Sequence, residues 1–247
     1  PAAARPAPAV DAPAILRAQG LSKTYRKRGW LGRPGRETRA LDDVTLTLRQ
    51  GGTLGIVGES GSGKSTLART LLGLAPPDAG GIELAGEPLA SKGAAARRAH
   101  ARRVQMVFQD PYGSLNPRQR VGEIVARGPM VHGTPRRAAL ARAQELFELV
   151  GLSPDAVRRY PHEFSGGQRQ RIGLARALAM QPQVLIADEP VSALDVSVQA
   201  QVLALLALLR QQLGLSILFI THDLRVAAQV CDDIAVMQQG RVVEAGP

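Results

Sequence analysis

The 247 residues are 45% apolar, enough for a buried core in one or two domains, and their single cysteine, Cys231, excludes an internal disulfide and any multi-cysteine metal site. The longest apolar run, Val202 to Leu209, is far too short to span a membrane, so any membrane partner would be another chain. The net charge of +10 comes from Arg-rich composition spread along the chain, and with only 3% aromatic residues there is little for base stacking, which argues against a nucleic-acid partner.

Residues 1–13 are Pro/Ala-rich and read as a disordered tail or linker. The chain opens on Pro1 rather than Met, as a fragment or processed product does, and shows no continuous apolar core of a signal peptide there. Ala14 to Leu21 alternates as an edge strand would. Arg26 to Arg39, with its Gly, Pro and charges and the lone Trp30, reads as a surface loop between two strands. Ala40 to Leu48 alternates with period two, as a half-buried strand does. After the turn at Gln50-Gly51-Gly52 comes a short apolar strand, Thr53 to Val57. The loop Gly58-Glu59-Ser60-Gly61-Ser62-Gly63-Lys64-Ser65-Thr66 follows, and a helical pattern runs on to Leu72.

Ala75 to Gly81 turns the chain, Ile82 to Leu84 is a short strand, and Ala94 to Arg103 is a basic helix or loop. Val104 to Phe108 is an apolar strand ending at Gln109. Beyond Asp110 the character changes. Val121 to Arg127, Pro135 to Val150 (Thr134 as N-cap, Pro135 as first helical residue) and Pro154 to Arg159 all read helical, with no strand among them. Gly166 to Met180 is helical after Ser165. Strands at Val184 to Ala187 and Ser216 to Ile220 alternate with helices at Val196 to Leu213 and Leu224 to Val230. Ile234 to Met237 and Arg241 to Ala245 read as a terminal hairpin. Alternating strands and helices predict a mostly parallel sheet covered on both faces, with ligands at the carboxyl ends of its strands.

Three constellations carry chemistry. The pattern G-x-x-x-x-G-K-[ST], filled by Gly58, Gly63, Lys64 and Ser65, lies between a strand and a helix, as a phosphate-binding loop requires. Its glycines let backbone N–H groups close around phosphate oxygens, Lys64 can reach the β- and γ-phosphates, and the Ser65 hydroxyl can bind Mg²⁺. Asp188, at the end of an apolar strand, can hold Mg²⁺, and Glu189 can polarise an attacking water. Ser165-Gly166-Gly167-Gln168, at the start of a helix, forms a second anion nest about a hundred residues after the first.

Taken in order, these motifs resemble an ATP-binding-cassette (ABC) transporter ATPase from Ala14 to Gly246. Tyr25 matches the adenine-stacking aromatic, Gly58 to Thr66 the Walker A loop and Gln109 the Q-loop glutamine. Ser165 to Gln168 match the signature motif, with Phe164 where Leu is commoner. Asp188 and Glu189 match Walker B and the catalytic glutamate, Ser192-Ala193-Leu194-Asp195 the D-loop, and His222 the switch histidine.

The resemblance implies a P-loop NTPase of α/β class. It would have a RecA-like core over 14–109 and 182–247, an N-terminal antiparallel β portion, and an inserted α-helical subdomain over 110–181. It further implies ATP and Mg²⁺ as cofactors, with Ser65, Gln109 and Asp188 around the metal and Glu189, Gln109 and His222 as catalytic residues. Tyr25, Gly58, Ser60, Gly61, Ser62, Gly63, Lys64, Ser65 and Thr66 would bind ATP in cis. Ser165, Gly166, Gly167, Gln168 and Asp195 would act in trans, from a second ATPase subunit in a head-to-tail dimer.

Phe108 to Arg118 and Val57 to Lys64 resemble the ATPases of bacterial peptide and nickel importers. That implies a peripheral subunit at the cytoplasmic face of the inner or plasma membrane, working with transmembrane permease subunits and an extracytoplasmic solute-binding protein. Peptides are the first expected solute, and nickel or another solute the second. A non-transport cassette in DNA repair or translation is the rival; such proteins usually carry long coiled-coil insertions or two cassettes.

Overall fold

The computed structural model describes residues 12–28, 34–89, 93–110, 113–192 and 194–247. Most of the expected tail, together with Trp30, Pro111, Tyr112 and Ala193, lies outside them.

Two sheets share the chain. Ala14–Arg28 (β1) pairs antiparallel with Pro34–Arg49 (β2) and on its other side with Ala79–Leu84 (β4), which in turn pairs with Glu87–Pro88 (β5). This corrects two expectations. Residues 14–21 do not form an edge strand, because β1 lies between β2 and β4. Alternation shows that one face is buried but cannot count hydrogen-bonded neighbours. Nor is 26–39 simply a loop: the ladder continues through Arg26 opposite Glu37 to Arg28 opposite Pro34. Backbone pairing needs no apolar side chain, and the Arg26–Glu37 ion pair at 2.8 Å supports it across the strands.

The second sheet has the order β10-β9-β3-β8-β7-β6. Its strands are Thr53–Val57 (β3), Val104–Val107 (β6), Val184–Asp188 (β7), Ser216–Thr221 (β8), Asp233–Gln238 (β9) and Arg241–Gly246 (β10). All pairings are parallel except β9 with β10, the expected terminal hairpin. Alternate residues of the central strands feed two cores. Leu185, Ala187, Ile217 and Phe219 pack with Ile172, Phe147 and Leu209, which lie on the helices Gly166–Leu178 (α5), Arg136–Leu149 (α4) and Val196–Leu213 (α6). Val184, Ile186, Leu218 and Ile220 pack on the opposite side, against Leu67 and Leu71 of Lys64–Leu71 (α1) and Leu16, Leu21 and Leu41 of the β1–β2 hairpin. A strand buried on both faces reads as a continuous apolar run, which is why β7 and β8 were legible.

The remaining helices are Ala94–Arg103 (α2), Val121–Val131 (α3) and Leu224–Val230 (α7), with short 3-10 turns at Pro154–Arg158 and Pro161–Glu163. The start of α4 differs from expectation by one residue. Pro135 is its N-cap, with φ −56° and ψ 139°, and Arg136 is the first helical residue. Proline fixes φ near the helical value and leaves ψ free, so sequence could not separate the two positions.

One largely buried ion pair pins the sheet to α6. Asp232, just before β9, accepts from Thr53 N at 2.7 Å and from Arg210 Nη2 at 2.9 Å. Arg210 also donates to Gly51 O at 2.7 Å. This fixes the start of β3, and with it the strand that delivers the glycine-rich loop. Removing one partner of such a pair leaves a buried charge, at a typical cost of ~3–5 kcal/mol. Asp232→Ala is therefore expected to lower the unfolding free energy by about that amount in urea titration.

Candidate functional site

The parallel register brings three strand ends level. Val57 of β3 lies opposite Thr221 of β8, and Asp188 of β7 opposite Ile220. Each strand then releases its chain into the same crevice. Gly58 follows Val57, Glu189 follows Asp188, and His222 follows Thr221.

The glycine-rich loop is gripped by backbone rather than by side chains. A Cβ on Gly58 would lie 2.2 Å from Met237 O, and one on Gly63 would lie 2.5 Å from Ala40 O. Gly63 also has φ 108°, a conformation that favours glycine. Gly240 N donates to Ser62 O at 2.9 Å, so the β9–β10 turn holds the loop from the side opposite the crevice. The Lys64 ammonium is buried inside the loop and donates to Gly58 O at 2.7 Å, Glu59 O at 2.8 Å and Ser62 Oγ at 3.5 Å. Ser60, Gly61 and Ser65 are exposed and Thr66 half-buried on the same loop and helix start. The macrodipole of α1 points its positive end at this concavity.

Across the crevice, Glu189 is a non-glycine residue at φ 45°. Its N–H donates to Ile220 O at 2.9 Å, and its carbonyl accepts from Ser192 Oγ at 3.2 Å. Its side chain collects two donors on one oxygen, Gln109 Nε2 at 3.1 Å and His222 Nδ1 at 3.2 Å, both to Oε2. The imidazole proton is thereby assigned to Nδ1, and Gln109 keeps its amide oxygen turned elsewhere. Among the described residues Oε1 of Glu189 has no partner and is the oxygen left to accept a proton.

Asp188 is 7% exposed, and its carboxylate has no hydrogen-bond or ion-pair partner among the described residues. Burial, then the neighbouring Glu189 charge, push its carboxyl above the ordinary value, while Lys64 and Arg69 pull it down. A buried carboxylate left this way is the chemistry a divalent cation relieves. Mg²⁺ takes few protein oxygens and keeps water and phosphate ligands, so the pair Ser65 and Asp188 with Gln109 nearby fits it.

Other expected site residues stand apart. Tyr25 lies on β1 in the hairpin that abuts the loop through Ala40; its ring is exposed, with Lys23 Nζ 5.9 Å from the ring centroid. Ser165 caps α5: Gln168 N donates to Ser165 Oγ at 3.3 Å and Ser165 N donates to Gln168 Oε1 at 2.9 Å. Among the described residues no hydrogen bond joins Ser165, Gly166, Gly167 or Gln168 to the loop at 58–66. Asp195 precedes α6 as its N-cap without a side-chain capping bond. Three participants escaped the sequence reading. Met237 and Gly240 act only through backbone, which leaves no motif. Arg69 contributes its field from one turn into α1, where an arginine looks like an ordinary surface residue.

The ABC transporter family model matches residues 41–192, and the chain belongs to that family. It is 51% identical over 245 residues to the oligopeptide transport ATP-binding protein OppD of Mycobacterium tuberculosis, covering 98% of this chain and 40% of OppD. The chain thus spans well under half the length of that relative. Among solved structures, the dimeric ATP-binding cassette MJ0796 in a post-hydrolysis state, bound to ADP and Pi, superposes with TM-score 0.81. It is 28% identical, and the match covers 94% of this chain and 98% of that one. The structure of cbiO1 from Clostridium perfringens, part of the ABC transporter complex cbiONQ, gives TM-score 0.81 at 27% identity, over 94% and 88% of the two chains. The fold is that of ABC ATPases.

The unpartnered Asp188 carboxylate yields a pH test. The folded protein holds the Asp188 proton more tightly than the unfolded chain does. Ionised Asp188 therefore costs no stability below its ordinary value of 3.8, an increasing amount as pH rises from there, and the full amount once pH has passed its folded pKa. Without nucleotide or metal, Asp188→Asn is expected to be more stable than the parent in urea titration at pH 7, with the gap narrowing as pH falls toward 3.8.

Proposed function

We propose that this chain is the ATP-hydrolysing subunit of an ABC importer of peptides: it turns over ATP at a site completed by a second subunit and drives solute uptake through separate membrane subunits. The observation that carries the reading is the convergence of Gln109 and His222 on one oxygen of Glu189, across the crevice from the Lys64 loop.

In this reading the loop N–H groups and Lys64 take up the β- and γ-phosphates of ATP. The three bonds Lys64 makes to loop oxygens would be exchanged for charge-assisted bonds to phosphate. Ser65, Asp188 and Gln109 would hold Mg²⁺, which neutralises charge on the β- and γ-oxygens. Gln109 and His222 fix Glu189 so that Oε1 accepts a proton from a water. The water oxygen attacks the γ-phosphorus, the bond to the ADP oxygen breaks, and ADP and phosphate leave. His222 would reach the γ-phosphate through its other ring nitrogen, Nε2, as the imidazolium, which carries a proton on both ring nitrogens and so donates to Glu189 and to phosphate at once. Tyr25 would stack on adenine from the hairpin.

Ser165, Gly166, Gly167, Gln168 and Asp195 are assigned to the site of a partner subunit. The support is their place at the starts of α5 and α6, where Ser165, Gln168 and Asp195 are exposed and Gly166 and Gly167 half-buried, and the lack of any bond to their own loop among the described residues. The cassette MJ0796, solved as a dimer, supports a paired arrangement. No helix among the described residues is long and apolar enough to cross a membrane, so the reading places the transmembrane permease and an extracytoplasmic solute-binding protein on other chains. The subunit would then sit at the cytoplasmic face. Peptide as solute rests on the oligopeptide transport name of the relative at 51% identity. The division into a core over 14–109 and 182–247 and a helical subdomain over 110–181 belongs to the same proposal. It is supported by the mutual packing of α3, α4 and α5.

Two substitutions test the reading in the full-length protein. Glu189→Gln removes the proton acceptor and keeps the shape. Nucleotide affinity should stay within about twofold while hydrolysis falls by roughly 10²–10⁴-fold, the usual worth of a general base, and sedimentation should show an ATP-dependent dimer. Wild-type turnover in that variant would place the base elsewhere. Ser165→Arg should leave ATP binding to the monomer intact and block dimer formation, since the arginine enters only the partner's site.

A further inference from the structure

Arg176 lies near the carboxyl-terminal end of α5 and has no part in the site above. Its Nη1 donates to Ser114 O at 2.5 Å, and its guanidinium carbon sits 5.6 Å from the centre of the Phe108 ring. The side chain is largely buried: Nη2 is shut off from solvent with no partner among the described residues, and desolvation pushes its pKa below the ordinary arginine value. A buried cation with an unfilled donor is a costly arrangement. Surface solvation does not explain it, and no carboxylate lies within ion-pair distance of it among the described residues.

Phe108 directly precedes Gln109, and Ser114 lies a few residues after it. Arg176 thus grips both flanks of the segment that carries Gln109, and Gln109 donates to Glu189 Oε2 at 3.1 Å. The other end of α5 is the Ser165 cap. From Ser165 to Arg176 is about three helical turns, or ~16 Å at 1.5 Å per residue. One continuous helix therefore joins the exposed anion nest to the grip on the glutamine segment.

We infer that Arg176 is a positioning residue for the hydrolytic reaction: it sets the placement of Gln109 against Glu189 and makes that placement follow the position of α5. Movement of α5 when its start engages a phosphate would be passed to Phe108 and Ser114, and so to Gln109. The guanidinium is suited to this because its planar fork can hold a carbonyl and face a ring at the same time. The inference rests on the proposed ATPase reading, but part of its test does not.

The test uses Arg176→Met in the full-length protein, which removes the buried charge and keeps an apolar side chain. Hydrogen exchange of the segment 108–118 should accelerate, while β7 and α1 exchange as in the parent. Unchanged exchange in 108–118 overturns the inference whether or not the protein hydrolyses ATP. For turnover, Arg176→Met should lower kcat about ten- to a hundredfold with KM for ATP within about twofold, as misplacement of a catalytic group does. In a Gln109→Ala background the same substitution should cause no further loss, because Arg176 acts through Gln109. Additive losses would make its role general stability and overturn the inference. Absent turnover in the parent protein would instead sink the ATPase reading and leave the exchange result to decide this one. Should Arg176→Met fail to fold, Phe108→Leu removes the ring and leaves the bond to Ser114; faster exchange in 108–118 is expected there too, and parent-like exchange overturns the inference.

Discussion

Parallel pairing of β3, β8 and β7 is the constraint on which the rest depends. It sets Val57 opposite Thr221 and Asp188 opposite Ile220. Because parallel strands all end at the same edge, three segments far apart in sequence emerge side by side. A register shift of one residue would turn every core side chain to the other face, so the two apolar cores police the site's geometry. The Asp232–Arg210 pair adds a polar lock at the opposite end of β3.

Charge is distributed unevenly across this edge. Asp188 and Glu189 are adjacent carboxylates, and Lys64 and Arg69 supply the nearby positive field. Glu189 is satisfied on one oxygen by two neutral-to-cationic donors, whereas Asp188 has none among the described residues. Neighbouring acids thus have distinct surroundings, one shaped for accepting a proton and the other for a cation. Environments that push like groups apart are how one site hosts both roles. The positive φ of Glu189 marks where the chain leaves the extended path of β7.

Much of this was legible from the residues because the signals are local. The loop at 58–66 carries its own pattern, and the run Val184 to Ala187 is apolar on both faces because both are covered. Ser165 with Gln168 is a capping box whatever else it does. What escaped was relational. The place of β1 between β2 and β4 depends on pairing that alternation does not encode, and strand pairing through 26–39 is carried by backbone. Arg176 is one of 27 arginines in the chain and sits in an alanine-rich stretch, and only its neighbours at Phe108 and Ser114 distinguish it.

The backbone grip on the glycine-rich loop also governs when that loop can exist. Gly58 rests against Met237 O and Ser62 O accepts from Gly240, contacts between residues far apart in the chain. A nascent polypeptide emerging from the ribosome would have made residues 58–66 long before it made their supports. The loop's shape must therefore wait for β9 and β10, a high-contact-order closure of the kind that slows folding. During synthesis the sequence that looks most self-sufficient takes its final form only after β9 and β10 have been made.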